Sequence, residues 1–108
     1  MGVATVAVAH SGVENPAVKA RMDAMSRIGA EVKVIGLMAR GETLFDAAEA
    51  RAAAASIAQQ AAMVPALFAA PEDDPKSEAR DTIWTDFDRF AEMSGAMETV
   101  AAALADSI

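Results

Sequence analysis

Apolar residues recur every three or four positions along two stretches of the chain. Such spacing places them on one face of an α-helix. The first stretch carries Val18, Met22, Met25, Ile28, Val32, Ile35 and Met38, and the second carries Phe87, Phe90, Met93, Met97, Val100, Leu104 and Ile108. The pattern predicts two long helices, over about residues 16–40 and 86–107.

An alanine-rich stretch between them predicts a third helix, over about residues 46–64. Side chains that favour helix starts precede each stretch: Asn15, Asp46 and Asp86. Gly41 suits the end of the first helix. Pro65 is expected to end the second, because proline lacks the N–H that a helix interior needs. Alanine permits close approach, so the second helix is expected to pack tightly against a neighbour.

These elements indicate an all-α fold, since no strand pattern competes in residues 15–108. Three long helices with short links are typical of an antiparallel four-helix bundle, and the fourth helix is expected to be missing. Residues 10–108 then form a single, incomplete bundle domain. Its first and third helices would expose an apolar stripe, which predicts a homodimer or another association through that stripe. A swapped bundle and a loosely packed monomer are the alternatives.

Charge narrows the range of partners. The 108 residues carry a net charge of −7. Residues 71–108 hold ten acids against three bases, with a cluster at Glu72, Asp73 and Asp74. An acidic chain without a basic stripe disfavours nucleic acid and anionic membranes. The acidic cluster is interpreted as a solvated loop, because it lacks the ligand spacing of an EF-hand calcium site. No apolar run approaches the roughly 20 residues of a membrane span.

The absence of cysteine restricts the chemistry further. It excludes disulfides, thiolate metal sites, cysteine nucleophiles and thioether attachment of haem. The one histidine, His10, precedes the predicted helices, and no catalytic triad or phosphate-binding glycine loop is present. We therefore expect no enzymatic activity.

The first nine residues resemble the end of a secretory signal. Ala7-Val8-Ala9 has the small-x-small pattern that signal peptidase cleaves, although a basic segment before it is absent. We interpret residues 1–9 as a signal-peptide remnant, with a periplasmic mature protein beginning at His10. The alternative is a flexible or strand-like tag.

Several segments, in this order and spacing, resemble the cytochrome c-prime family, including its low-spin, methionine-ligated relatives. The resemblance covers residues 15–108. The matching segments are Val18 to Met25 with Ile28-Gly29, Lys33 to Gly36, Arg40 to Glu42, Phe45 to Ala48, Val64 to Phe68, and Ser77 to Trp84 with Asp86 and Phe90.

The resemblance implies a periplasmic four-helix bundle with one haem c, whose iron is ligated by the histidine of a Cys-x-x-Cys-His motif on the fourth helix. That motif is absent here. The chain is thus either a fragment of such a cytochrome or a haem-less descendant: haem c is implied for the full-length protein, and none is covalently bound by this chain. Electron transfer with a redox partner protein is the first hypothesis. A haem-free interaction or structural bundle and a gas-binding haem protein are the alternatives.

The resemblance also implies site residues. Met25 falls at the position of the axial thioether ligand to the haem iron, with Met22 as the second choice; the alternative for Met25 is a core role. Arg21 falls at a position that binds a haem propionate, and its alternative is an exposed arginine paired with an acid. Further residues are expected in the pocket or the core: Ile28, Phe68, Trp84, Phe87, Phe90, Met93 and Met97.

Overall fold

The computed structural model describes residues 12–108, and helix α1 spans Pro16–Ala39 within them. The Asn15 side-chain oxygen accepts hydrogen bonds from the N–H groups of Ala17 (2.9 Å) and Val18 (3.1 Å). After the helix, Gly41 turns the chain with a φ of +74°, a conformation that glycine adopts without steric cost. Both predicted ends of α1 are confirmed to within a residue. The proposed signal remnant lies outside the described residues.

Helix α2 spans Ala47–Leu67 and begins as predicted, since an Asp46 carboxylate oxygen accepts the N–H of Glu49 at 3.0 Å. The side chains on its inner face are almost all small. The buried residues of α2 are Ala50, Ala53, Ala54, Ile57, Ala61 and Val64. Such a surface lets neighbouring helices approach closely, which confirms the expected tight packing.

The prediction that Pro65 ends this helix is wrong. Helix α2 continues through Pro65 to Leu67. Pro65 has no N–H to donate to the carbonyl of Ala61, four residues earlier. The hydroxyl of Ser94, on another helix, donates to that carbonyl instead, at 2.6 Å. The helix therefore tolerates the proline because a neighbouring element satisfies the freed acceptor.

A short helix, α3 (Thr82–Thr85), precedes the last long helix, α4 (Phe87–Ser107). Asp86 lies between them, with φ −141° and ψ 59°, and its side chain makes no capping hydrogen bond. Its backbone serves both helices: its N–H donates to the carbonyl of Thr82 at 3.2 Å, and its carbonyl accepts the N–H of Phe90 at 3.2 Å. The prediction of an Asp86 side-chain cap is therefore wrong, although α4 itself is confirmed.

Helix α2 lies between α1 and α4 and runs antiparallel to both. The Arg21 side chain, early in α1, bonds the end of α2 at Leu67, and Arg51, early in α2, donates to the carbonyl of Ile108 at 2.8 Å. No strand occurs in residues 12–108, so the all-α class is confirmed. The described part measures 40 × 36 × 18 Å. This flattened arrangement leaves one apolar side of α1 and α4 exposed.

Candidate functional site

A cleft of about 500 Å³ opens between the first half of α1, the start of α4 and the segment that joins α2 to α3. A cleft of this size is in the range that takes a small organic molecule or cofactor. Its lining is mostly apolar. The apolar contributors are Val18, Met22, Met25, Phe68, Ala79, Ile83 and Phe90.

Aromatic rings form the floor of this cleft. The rings of Phe68 and Phe90 are tilted against each other with centroids 5.1 Å apart, and Phe87 lies 5.9 Å from Phe90. The Trp84 indole N–H donates to the carbonyl of Phe68 at 2.7 Å. Pairs of rings at such separations stabilise one another, so the floor is formed before any ligand enters.

Two methionines of α1 face the cleft. Met22 and Met25 are three residues apart on one helix and both line it. Met25 is 47 % exposed, which lies between Met97 and Met93 of the α4 stripe. Its side chain is therefore open to a molecule in the cleft. A thioether is a soft ligand that suits haem iron, copper(I) and other soft metal centres.

Arg21 lines the same cleft but is only 3 % exposed. Its guanidinium donates to the backbone carbonyls of Leu67 (2.7 Å) and Glu72 (2.8 Å), and also to that of Ala70. The sequence predicted a propionate contact, with an exposed arginine paired with an acid as the alternative, and the burial of Arg21 shows that this alternative is wrong. The described contacts are instead with the backbone that follows α2, and the expected propionate contact stays a prediction.

The structure brings five of the expected site residues together and separates the others. Arg21, Met22, Met25, Phe68 and Phe90 line the cleft. The rest lie elsewhere: Ile28 is buried in the core, Trp84 and Phe87 pack against that core behind the floor, Met93 is exposed on α4, and Met97 lines a second groove.

Several lining residues were not expected from the sequence. Ser77, Glu78, Arg80 and Thr82 give the cleft a polar rim on the side of the α2–α3 segment. Arg80 is exposed there and supplies a cation at the mouth. Periodicity carries no signal for these residues, because the first three lie in a connecting segment whose path depends on its anchors and Thr82 begins the four-residue helix α3.

Asp74 is one such anchor. One of its carboxylate oxygens accepts the N–H groups of Glu14 (2.9 Å) and Asn15 (3.0 Å), and the other accepts the N–H of Lys76 (2.8 Å). The N–H of Lys76, followed by those of Asn15 and Glu14, holds the pKa of Asp74 below its ordinary value, because these donors favour the charged form. The carboxylate thus ties the cleft's rim segment to the start of α1.

A second, shallower groove continues between α1 and α4. Its lining is almost wholly apolar and comprises Val32, Ile35, Ile57, Ala96, Met97, Val100, Ala101 and Leu104. Val32 and Val100 are exposed although both belong to helical apolar stripes. An apolar groove between two helices is the form of surface that accepts a further amphipathic helix.

Two further features, a cluster of metal ligands and a membrane span, are not found in residues 12–108. No three histidine or acidic side chains of that region converge as a set of metal ligands. In the same region no helix combines the length and apolar character that crossing a bilayer requires.

Comparison with known proteins adds a family relationship. The family model described as Cytochrome C' matches residues 16–108. Cytochrome c-556 of Agrobacterium tumefaciens (strain apple 185) is 34 % identical over 82 residues, which make up 76 % of this chain. The match spans 65 % of that relative's length. No solved structure matches the chain.

Proposed function

The chain belongs to the cytochrome c-prime family, and on that premise we propose that its cleft is the methionine-bearing side of a haem pocket in an electron-transfer protein. The observation that carries this proposal is the half-exposed side chain of Met25 in an apolar, ring-floored cleft. The relative's name, cytochrome c-556, supports the same class of cofactor.

The residues of the cleft fit a haem. Its apolar walls suit the porphyrin faces and edges, and the Met25 thioether suits the iron. The exposed guanidinium of Arg80 at the rim suits the porphyrin carboxylates. Covalent attachment by thioether bonds is excluded for these 108 residues, because they contain no cysteine.

When bound, haem would supply an iron that accepts and releases one electron. The chain's own residues set the surroundings of that iron. The thioether of Met25, with that of Met22 as the second choice, would hold the iron and keep other ligands from it on that side. Water would be excluded from the porphyrin by the apolar side chains of Phe68, Ile83 and Phe90. This exclusion changes the relative stability of ferric and ferrous iron, and so the reduction potential.

We propose electron carriage to and from a redox partner protein, without catalysis on a substrate. This follows the general role of cytochromes and needs only a held haem with an edge near the surface. We also propose a periplasmic location, as the family resemblance and the Ala7-Val8-Ala9 pattern imply. Cell fractionation of the native host, with amino-terminal sequencing of the exported protein, tests this location.

The Met25 role is tested with iron protoporphyrin IX added to the purified chain together with one equivalent of imidazole, which stands in for the histidine ligand. We expect a low-spin ferric spectrum with a thioether-to-iron charge-transfer band. Met25→Ala should remove that band and give a high-spin spectrum, whereas Met93→Ala, an exposed methionine outside the cleft, should keep it. An unchanged Met25→Ala spectrum would remove this residue from the iron, and loss of the band in Met22→Ala alone would assign it to Met22.

The same experiment separates electron transfer from gas binding. With Met25 on the iron, carbon monoxide has to displace the thioether before it binds the ferrous protein. Carbon monoxide should therefore bind Met25→Ala faster than the unmodified chain. Equal rates would favour the gas-binding alternative.

The groove beside the cleft favours a second candidate function, a helical interaction module. Its apolar lining residues Val32, Val100 and Leu104 are all more than one third exposed. We propose that a second copy of this chain covers them, giving a homodimer. This role needs no haem and is tested separately through the oligomeric state.

A further inference from the structure

Arg21 donates hydrogen bonds to three backbone carbonyls at and after the end of α2. Its Nε–H donates to the carbonyl of Leu67 at 2.7 Å, one terminal N–H donates to that of Glu72 at 2.8 Å, and the other terminal nitrogen donates to that of Ala70. These carbonyls lie at and beyond the end of α2, where the helix leaves its last acceptors without partners. One side chain of α1 therefore fixes the path of residues 67–72.

The same guanidinium lies over two rings, that of Phe68 in the cleft's floor and that of Trp84 behind it. Its central carbon is 5.2 Å from the centroid of Phe68 and 5.3 Å from that of Trp84. Both distances allow cation–π attraction. Since the Trp84 indole also bonds the carbonyl of Phe68, Arg21 sets the relative positions of both rings.

No carboxylate pairs with this buried cation among the ion pairs of residues 12–108, which join Lys19 to Asp23 and Arg40 to Glu42. Carbonyl dipoles and ring faces take the place of a carboxylate around Arg21. Arginine is suited to this role because its planar fork presents donors in fixed directions, whereas lysine offers a single compact ammonium.

We propose that Arg21 is a positioning residue, which holds residues 67–72 and the ring of Trp84 in place. These groups, which carry Phe68 in the cleft's floor and pack behind it, are called the wall below. It would act on a bound porphyrin through those groups, in addition to the propionate contact that the family resemblance implies for this position. The part of this inference that concerns a ligand rests on the proposed haem function. The part that concerns the wall does not.

The first test needs no substitution. In the unmodified chain, the Nε–H of Arg21 should exchange with water at least about tenfold more slowly than that of Arg27, an exposed arginine of the same helix. Addition of iron protoporphyrin IX should leave the Arg21 Nε–H bonded and slow. Fast exchange in the free chain, or release of this N–H when the porphyrin binds, would overturn the proposal.

The second test compares Arg21→Gln and Arg21→Lys with the matched control Arg27→Gln. Trp84 is the only tryptophan, so its emission reports on the wall. Both Arg21 variants should show red-shifted emission, faster amide exchange in residues 68–77 and about tenfold weaker binding of iron protoporphyrin IX. Arg27→Gln should change none of these.

The lysine variant separates positioning from a direct contact. A lysine keeps the positive charge and can still meet a porphyrin carboxylate, but it cannot bond three carbonyls at once. Restored porphyrin binding in Arg21→Lys, with Trp84 emission unchanged in both variants, would overturn the proposal. If the unmodified chain binds no porphyrin while Arg21→Gln still loosens the wall, the haem function fails and the positioning role stands.

Discussion

At the scale of single residues, two buried charged side chains hold the cleft in place through the backbone. Arg21 bonds carbonyl groups of residues 67–72, and Asp74 bonds N–H groups at the start of α1. Both connect positions that are 46 to 60 residues apart in the chain. The sequence shows the residue types, and it also predicted Met25 as a ligand to iron. The partners were not, because backbone acceptors and donors have no residue signature.

Asp74 makes the stability of the chain depend on pH in a definite direction. Its pKa is lowered in the folded state, so its contribution is present above the ordinary value of 3.8 and is lost as the pH falls through the lower, folded value. Asp74→Asn should therefore lower the unfolding midpoint at neutral pH and have a progressively smaller effect below about pH 4.

The control for this prediction is Asp73→Asn, which changes an exposed neighbour in the same acidic cluster. Thermal unfolding followed by circular dichroism, from acid to neutral pH, measures both variants. A difference between Asp74→Asn and the unmodified chain that is constant over this range would contradict the ionised role of the carboxylate.

At the scale of elements, helix periodicity predicted α1 and α4, alanine content predicted α2, and the failures have local causes. The prediction for Pro65 failed because the hydroxyl that satisfies Ala61 belongs to Ser94, 33 residues away. The cap prediction failed because the Asp86 backbone joins α3 to α4 while its side chain makes no capping bond. The rim residues Ser77 and Arg80 lie in a connection, where apolar spacing carries no information.

The Ser94 hydroxyl should contribute more to the free energy of unfolding than an ordinary surface hydroxyl does. Ser94→Ala would leave the buried Ala61 carbonyl without a partner, which costs about 1–3 kcal/mol of unfolding free energy. Thr99→Ala, whose hydroxyl bonds a carbonyl within α4 itself, is the control and should cost much less. Urea denaturation measures both.

A double-mutant cycle identifies the cause. Pro65→Ala restores an N–H that can bond the Ala61 carbonyl, so Ser94→Ala should cost less in the Pro65→Ala background. Equal costs in both backgrounds would show that the hydroxyl does not replace the proline's missing donor.

At the scale of the whole molecule, the flattened 40 × 36 × 18 Å arrangement places the cleft and the apolar groove along the same open side. The expected exposure of an apolar stripe on the first and third long helices is found at Met25, Val32, Val100 and Leu104. The sequence predicted this stripe from helix faces alone. It could not predict that the stripe divides into a ring-floored cleft and a shallow groove, because the division depends on the anchored segment after α2.

A single positive charge introduced into the groove should weaken association through it. If a second copy covers the groove, Val100→Lys should weaken the dimer at least about tenfold, because the ammonium would have to leave water at the interface. Thr99→Lys adds the same charge at the preceding residue, which is exposed and lies outside the groove, and should leave the dimer intact. Light scattering over a concentration series measures both, and a monomeric unmodified chain or equal effects of the two variants would contradict the homodimer.

The central claim, that the Met25 thioether of this cleft ligates haem iron, is tested most directly by nuclear magnetic resonance of the chain labelled with ¹³C at its methionine methyl groups. Ferrous iron protoporphyrin IX with one equivalent of imidazole provides a diamagnetic complex. A methyl group on an axial thioether lies over the porphyrin ring, whose ring current moves its signal far upfield. We predict that the Met25 signal alone moves in this way while that of Met93 stays in place. A shift of no methionine, or of Met22 in place of Met25, would contradict the claim.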